Sequence, residues 1–319
     1  MKSLPAAPPL RYNRIDELAG IDAPVVLAVG VFDGLHLGHR AVIDRARQLA
    51  VEREAELVVT TFDPHPVKVL RPDRAPRLLV NTAHKLLLLA EAGVKRVLVV
   101  PFDTTFCHMP AAEFVLQLVA AGRPLRGIVV GEEWRFGHER AGDLALLRSL
   151  GKAHHFAVAG VPALQVDGAV VSSTRIRELV TVGDLDGAER LLGRRFSVFG
   201  TVVEGDHVGT KLGYPTANVK VGGEQFPPHG VYATRARING IWHVSVTNLG
   251  RRPTVADDSG QPLLETHLLD YAGNLYGEMI EVRFDAFLRQ EQKFASLDAL
   301  RSQIGEDVTH AQRVGENLR

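Results

Sequence analysis

The first half of the chain alternates two kinds of hydrophobic pattern. Short continuous apolar runs are separated by longer segments in which apolar residues recur with the period of a helix. The predicted strands are residues 24–29, 57–62, 97–100, 128–130 and 155–159. Strands that alternate with helices at this spacing predict βαβ units and a parallel sheet. The loops after the strand ends then meet at one edge, where ligands bind.

Two helices of this half are predicted from their ends as well as from their apolar residues, and a third is predicted from its apolar residues. Asn81 can cap one helix, which ends before Gly93. Pro110 opens another, which Gly122 closes. The remaining helix follows the first strand and has these apolar positions: Val42, Ile43, Ala46, Leu49 and Ala50.

The pattern changes after a short helix predicted for residues 184–192, which ends at Gly193. Apolar residues now alternate with a period of two, as in the segments that begin at Phe196 and Val231. Asn239-Gly240 is a strong hairpin turn between two such segments. Short strands without intervening helices predict a small antiparallel barrel, with helices only after Ser296. The predicted fold is α/β followed by β, with domains at residues 1–185 and 186–319.

Composition narrows the function classes. The chain has 319 residues, enough for two domains with their own cores. Lys plus Arg and Asp plus Glu both number 37, so charge gives no support for nucleic-acid binding. Cys107 is the only cysteine, which excludes an intrachain disulfide and fits a reducing cytoplasm. No signal peptide or membrane-spanning run is recognisable, so we expect no membrane partner.

The stretch from Gly30 to His39, Gly-Val-Phe-Asp-Gly-Leu-His-Leu-Gly-His, lies between the first strand and a helix start. Its glycines leave room for a ligand, and the N–H groups of a helix N-terminus favour an anion. His36 and His39 can both offer N–H donors to bound phosphates. Two surface histidines beside a glycine turn are the plainer alternative. A zinc site is disfavoured because no thiolate or third histidine accompanies the pair.

This stretch resembles the signature of the nucleotidyltransferase superfamily, in the form found in bacterial FAD synthetases. The resemblance implies a Rossmann-like sheet and an ATP site that contains Gly30, Phe32, Asp33, His36 and His39. Val171-Ser-Ser-Thr-Arg-Ile-Arg177 is similar to a further element of that family, and adds Ser173, Thr174 and Arg177 to the ATP site. Arg175 falls on a position that the pattern leaves free. A capped helix with a solvent-facing arginine is the alternative for this element.

The loop from Gly131 to Asp143 resembles the flavin-side loop of the same family. We expect Glu133 and Phe136 of this loop, with Phe62 and Pro64 at the end of the second strand, to contact FMN. The family usually has Asp or Asn where this chain has Glu133, and Phe where it has Trp134. Glutamate keeps the carboxylate, and its extra methylene is long enough to shift a contact by more than a hydrogen bond tolerates. The loop taken alone is more typical of a solvated acidic turn.

In the second half, Gly209 to Asn218 resembles the Pro-Thr-Ala-Asn signature of riboflavin kinases. The resemblance implies ATP contacts from Gly209, Lys211, Thr216 and Asn218. Thr216 and Asn218 also present the oxygen ligands that Mg²⁺ accepts. The bacterial form of the family often has arginine where this chain has Thr210. Lys211 is the candidate to supply that positive charge here.

The later motifs of the barrel follow the order of the same family. Glu265 falls where the family has its catalytic carboxylate, which removes a proton from the attacking hydroxyl. Asn248, Arg289 and Glu291 fall on the flavin side. A solvated strand glutamate is the alternative for Glu265, and a charged cap on the last strand is the alternative for Arg289 and Glu291.

The resemblance to the bifunctional riboflavin kinase/FMN adenylyltransferase family implies two ATP- and Mg²⁺-dependent steps in the cytoplasm. Riboflavin is phosphorylated to FMN with Glu265 as base, and FMN then reacts with ATP to give FAD and pyrophosphate. His36, His39 and Arg177 stabilise charge in the second step. Two alternatives stay open: a riboflavin kinase with weakened adenylyl transfer, and a flavin-binding regulator without catalysis. The sequence does not give an oligomeric state.

Overall fold

The structure is a computed structural model that describes residues 7–122, 124–205, 208–251 and 262–317. The strands are β1 (Leu10–Tyr12), β2 (Val25–Val29), β3 (Glu56–Asp63), β4 (Arg96–Pro101), β5 (Leu125–Gly131), β6 (Ala157–Val161), β7 (Gln165–Val166), β8 (Ala169–Val170), β9 (Ser197–Val203), β10 (Thr216–Lys220), β11 (Gly230–Ile238), β12 (Ile241–Arg251), β13 (Pro262–Leu268) and β14 (Met279–Arg289). The helices are α1 (Leu37–Glu52), α2 (Pro66–Leu70), α3 (Thr82–Glu91), α4 (Ala111–Ala121), α5 (Leu144–Ala153), α6 (Ser173–Val182), α7 (Leu185–Leu192), α8 (Val208–Leu212) and α9 (Leu297–Asn317). Single 3₁₀ turns lie at Ile15–Gly20, Pro72–Arg74, Phe106–His108 and His138–Arg140.

The chain divides into two compact units. The sheet unit contains residues 7–76 and 85–173, and the barrel unit contains residues 77–84 and 174–317. The barrel unit therefore includes a short segment from the first half of the sequence. None of the described helices is long and apolar enough to cross a membrane.

The sheet unit is built on a six-stranded parallel sheet, in the order β1-β4-β3-β2-β5-β6. The predicted parallel sheet and its five strands are confirmed. The sequence analysis missed β1, which pairs with β4. At three residues β1 is too short to show an alternation, and Leu10, at its start, is exposed. The central strand β2 is buried along its whole length, as a parallel strand covered on both faces must be.

The predicted helices of the first half of the chain start and end where the local chemistry requires. The buried positions of α1 are the five predicted apolar residues. Asn81 caps α3, since its side-chain oxygen accepts the N–H of His84 at 2.8 Å. Gly93 has a φ of 75° just beyond the end of α3, a conformation that favours glycine. These helix predictions are confirmed.

The barrel unit contains a closed antiparallel barrel of six strands, in the order β10-β13-β12-β11-β14-β9. Asn239 and Gly240 turn the chain between β11 and β12 with φ values of 48° and 82°, as the predicted hairpin requires. The predicted barrel is confirmed. The expectation of helices only after Ser296 is wrong, because α8 lies before β10. A helix of five residues is too short to show a helical period.

Candidate functional sites

The first candidate site lies at the carboxyl edge of the parallel sheet. Strands β3, β2 and β5 are neighbours, so the loops that follow them leave the sheet side by side. These loops contain the Gly30 turn, the Asp63–Pro66 segment and the segment that begins at Glu132. The structure therefore brings together the three predicted loops of the adenylyl-transfer site.

His36 and His39 form a stacked pair at the entrance of α1. Their ring centroids are 3.5 Å apart and the rings are inclined by 17°. His36 caps the helix, because its Nδ1 accepts the backbone N–H of His39 at 3.3 Å. In its neutral form His36 then carries its proton on Nε2. The Phe32 ring meets His39 edge-on, with the centroids 5.4 Å apart.

The turn before this helix has an unusual backbone. Phe32, Gly34 and Leu35 have φ values of 52°, 86° and 41°. Only the glycine adopts this region without strain. Phe32 and Leu35 are each 1% exposed, so buried side chains hold the turn in place. A Cβ at Gly30 would lie 3.1 Å from the Phe32 ring. The space beside Gly30 is thus filled by a side chain of the site.

Two groups in this site have lowered pKa values. Burial, together with the charges of His36 and Lys85, holds the pKa of His39 well below its usual range. The Nδ1 of His39 is buried and has no hydrogen-bond partner among the described residues. Burial also lowers the pKa of Lys85 to about 8, against the opposing charges of Asp33 and Asp63. At neutral pH the site holds a neutral His39 and a mostly charged Lys85.

The predicted ATP residues from the Val171–Arg177 element fall into both units. Ser173 Oγ donates to the carbonyl of Asp33 at 2.8 Å, which joins the start of α6 to the turn. Thr174 is exposed. Arg177 belongs to the barrel unit, where its Nε donates to the carbonyl of Arg77 at 2.7 Å.

The predicted flavin residues of the sheet unit differ in exposure. Phe62, at the end of β3, packs among Phe102, Phe106 and Phe114, with ring centroids 6.0 to 6.2 Å away. Pro64 and Glu133 are exposed in the loops that follow. Phe136, like Phe62, is a buried core residue, and it stacks on Trp134 at a centroid distance of 4.3 Å. Phe136 therefore supports the loop from within the core.

The second candidate site is a cavity of about 350 Å³ on the barrel unit. It lies on the opposite strand face from the buried Leu264, Thr266 and Leu268. Residues from strands, from α8 and from the segment through α9 line it together. The predicted residues among them are Gly209, Thr216, Asn218, Asn248, Glu265, Arg289 and Glu291.

Strand register places five of the lining residues at one level of the barrel. Asn218 pairs with Glu265, which pairs with Asn248; Asn248 pairs with Val231, and Val231 with Arg289. Directly paired residues present their side chains on the same face of a sheet. Glu265 is therefore flanked by Asn218 and Asn248, with Arg289 further along the same row.

The polar side chains of this row are held from several directions. Arg289 makes a bidentate ion pair with Asp307 of α9: Nε donates to Oδ1 at 2.9 Å and Nη2 donates to Oδ2 at 2.7 Å. A Cβ at Gly250 would overlap a carboxylate oxygen of Glu291, so this glycine makes room for that carboxylate. The Oδ1 of Asn248 is buried without a hydrogen-bond partner among the described residues. A buried polar atom of this kind is a candidate to accept a hydrogen bond from a ligand in the cavity.

The residues for ATP and a metal ion lie near α8. A Cβ at Gly209 would overlap the carbonyl of Tyr214, which explains the glycine at that position. Thr216 and Asn218 line the same cavity and offer a hydroxyl and an amide oxygen. Among the described residues no group of three or more His, Cys, Asp or Glu side chains is arranged to hold a metal ion. The side chain of Lys211 and residues 252–254 lie outside the described part of the chain.

Sequence analysis missed three residues of these sites. Asp307 and His267, which both line the barrel cavity, carry no signal by themselves, because a strand histidine and a helix aspartate are usually surface residues. Lys85 did carry a signal, since it occupies the same helix face as the buried Leu88 and Leu89. A lysine on an apolar helix face is a candidate for a buried functional amine.

The sheet unit is Rossmann-like and has a histidine pair at a helix entrance, and the barrel unit has a carboxylate between two amides. Together these features define an ATP-dependent transferase with two sites. A family model for FAD synthetase matches residues 19–175, and one for riboflavin kinase matches residues 192–314. The chain belongs to the bifunctional riboflavin kinase/FMN adenylyltransferase family.

Individual relatives cover most of the chain. The enzyme of this name from Pseudomonas fluorescens is 40% identical over 286 residues, which are 90% of this chain and 91% of the relative. The one from Escherichia coli strain K12 is 39% identical over 283 residues, with coverages of 88% and 90%. A crystal structure described as a macrolide-efflux protein from Streptococcus pneumoniae has a TM-score of 0.80 and 27% identity, and the match covers 96% of this chain and 99% of that one.

Proposed function

We propose that this chain makes FAD in two ATP-dependent steps. Residues 186–319 carry the riboflavin kinase step, which gives FMN and ADP. Residues 1–185 carry the adenylyl transfer, which gives FAD and pyrophosphate. ATP is the co-substrate of both steps. We place the enzyme in the cytoplasm, where ATP is available and where the free thiol of Cys107 stays reduced.

The position of Glu265 between Asn218 and Asn248 in the barrel cavity is the observation that carries this proposal. In the kinase step a primary hydroxyl of riboflavin attacks the γ-phosphorus of ATP, and ADP leaves. The hydroxyl proton moves to the Glu265 carboxylate, which needs to lie within hydrogen-bond reach of it. Asn248, Arg289 and Glu291 are proposed to orient the flavin in the same cavity.

The oxygen donors of Thr216 and Asn218 fit Mg²⁺, which prefers hard ligands and takes most of its remaining ligands from water and phosphates. These two residues would hold the ion beside ATP. When bound, the ion spreads the charge of the transferring phosphoryl group. Gly209 and Lys211 are proposed to contact the ATP phosphates at this end of the cavity.

In the adenylyl-transfer step a phosphate oxygen of FMN attacks the α-phosphorus of ATP, and pyrophosphate leaves. The attacking group is already an anion, so the step needs positioning and charge stabilisation and no general base. We assign these roles to the N-terminus of α1, His36, His39, Ser173 and Arg177, with backbone contacts from Gly30, Phe32 and Asp33 and a further hydroxyl from Thr174. Phe62, Pro64 and Glu133 are proposed to border the flavin, with Phe136 supporting them.

The test is to incubate the protein with riboflavin, ATP and Mg²⁺ and to follow riboflavin, FMN and FAD by chromatography. FMN should appear first and then convert to FAD. Glu265→Gln should slow FMN formation by about 10²- to 10⁴-fold, the usual contribution of a general base, and leave conversion of added FMN to FAD unchanged. His39→Ala should slow FAD formation and spare FMN formation.

Each alternative predicts a different result in this assay. A riboflavin kinase with a lost adenylyl step accumulates FMN without FAD. A flavin-binding regulator gives neither product. If the Glu265→Gln variant forms FMN at the normal rate, the Glu265 carboxylate is not the general base of the kinase step.

A further inference from the structure

Lys85 is a buried amine that the mechanism above does not use. It is 5% exposed and lies on α3, and its position in the sequence is outside every motif of the adenylyl-transfer site. Its Nζ donates to the carbonyl of Val31 at 2.7 Å and to Thr61 Oγ1 at 3.1 Å. Thr61 Oγ1 in turn donates to the same carbonyl at 2.9 Å. Lysine, threonine and carbonyl thus form a closed triangle of hydrogen bonds.

The Val31 carbonyl is the point at which the chain leaves the sheet. Gly30 still donates its N–H to Thr60 of the neighbouring strand, at 3.1 Å. Beyond Val31 come the left-handed residues Phe32 and Leu35. Strained backbone of this kind persists only where its surroundings fix it firmly. The triangle fixes the start of the turn, and the His36 cap fixes its end.

A neutral donor would satisfy the carbonyl with less desolvation, so a buried ammonium indicates a use for its charge. The charged and titratable groups that face it are Asp33, Asp63 and His39. The two carboxylates favour the charged amine, and the amine disfavours a charge on His39. A fixed positive charge beside the histidine pair adds to the field that binds phosphates.

We propose that Lys85 is a positioning residue for adenylyl transfer: its ammonium group holds the Val31 carbonyl, and so fixes the turn that presents His36 and His39 to the ATP phosphates. The proposal rests on the proposed function. Its test uses the FMN-to-FAD rate of the full-length protein, with the riboflavin-to-FMN rate of the same preparation as an internal control of folding.

Lys85→Met removes the charge and the donors at similar length. It should lower kcat for FAD formation about 10- to 100-fold, the range expected for hydrogen bonds from a charged group, with little change in KM for FMN or in FMN formation. Lys85→Arg should restore much of the rate. The pKa of about 8 predicts that wild-type kcat falls as pH rises through 8, and that this fall is absent in Lys85→Arg, because a guanidinium stays charged.

Two adjacent threonines of β3 provide a test variant and a matched control, and this test does not depend on whether the Lys85 variants fold. Thr61→Val removes two of the triangle's three hydrogen bonds and should lower kcat for FAD formation several-fold. Thr60→Val makes the same change at a hydroxyl without a hydrogen-bond partner among the described residues, and should leave the rate unchanged.

Three results would overturn the proposal. They are an unchanged FAD rate in Lys85→Met, equal rates in the two threonine variants, and an alkaline fall that persists in Lys85→Arg. If wild-type protein forms no FAD at all, the proposed function fails instead, so the two failures are distinguishable.

Discussion

A buried carboxylate in the barrel unit predicts a loss of stability in acid. Glu281 accepts a hydrogen bond from the Ser197 hydroxyl at 2.7 Å and lies 3.4 Å from His84 Nε2. Nη2 of Arg237 lies 2.6 Å from the second carboxylate oxygen of Glu281, close enough for an ion pair though not aligned for a hydrogen bond. Burial alone would raise the pKa of Glu281, but His84, Arg237 and Ser197 together lower it to about 2.

The lowered pKa sets the size and the pH range of the effect. A carboxylate whose folded pKa is below its unfolded value contributes stability that is complete above the unfolded pKa and is lost as pH falls. The drop from 4.5 to about 2 corresponds to about 3 kcal/mol at pH 7, at about 1.4 kcal/mol per unit. More than half of this contribution should be lost by about pH 3.

The assay is urea unfolding of Glu281→Gln and its parent between pH 7 and pH 3. The chain has two tryptophans. A Trp134→Phe background leaves Trp242, which contacts the guanidinium groups of Arg237 and Arg283 and therefore reports on the barrel unit. We expect the Gln variant to be less stable by about 3 kcal/mol at pH 7, and the difference to shrink to about 1 kcal/mol at pH 3.

Glu278→Gln is the matched control, because Glu278 is exposed. It should leave the unfolding free energy unchanged to within about 0.5 kcal/mol at every pH. A stability difference between Glu281→Gln and its parent that stays constant with pH would refute the assignment of the lowered pKa to Glu281. The absence of any difference at pH 7 would refute it equally.

Two further predictions separate the sites. Gly250→Ala should raise KM for riboflavin roughly tenfold, because its Cβ overlaps the Glu291 carboxylate. Gly222→Ala is the control and should leave KM unchanged, because its Cβ meets no atom within 4 Å. Equal KM values in the two variants would contradict this prediction. Ser173→Ala removes a hydrogen bond to Asp33 worth about 1 kcal/mol, so FAD formation should slow about fivefold while FMN formation is spared; an equal loss of both products would argue against a local role.

Local pattern predicted most of the elements but not all of their partners. The helix cap at Asn81 follows from the residue type and its place before an apolar run. Its other contact does not, since Asn81 Nδ2 also donates to the carbonyl of Phe199, at 2.8 Å. Leu78 likewise forms a parallel backbone bridge with Glu224. Hydrophobic period describes how a segment folds on itself, and it carries no information about pairing with a segment far along the chain.

The same limit applies to the sites. Motifs selected Asn218 and Glu265 by residue type, but only the strand register shows that Asn248 completes the row on the other side of the carboxylate. A shift of one residue would turn these side chains to the opposite face. Phe62 and Phe136 show the converse limit, because a loop motif does not distinguish an aromatic ring that faces a ligand from one that packs in the core, and both rings belong to the core cluster.

The two proposed reactions differ in one chemical requirement, and the two sites differ in the same way. A hydroxyl has to lose its proton as it attacks, and the barrel cavity offers the Glu265 carboxylate for that purpose. A phosphate has no proton to lose at this stage. His39 is kept neutral, and Nδ1 of His36 is engaged by the helix cap, so this pair is suited to donate hydrogen bonds and poorly suited to remove a proton. Positive charge is proposed to come from Arg177 and from the buried amine of Lys85. Because the two steps depend on different groups, a substitution at Glu265 or at Lys85 should separate the formation of FMN from that of FAD.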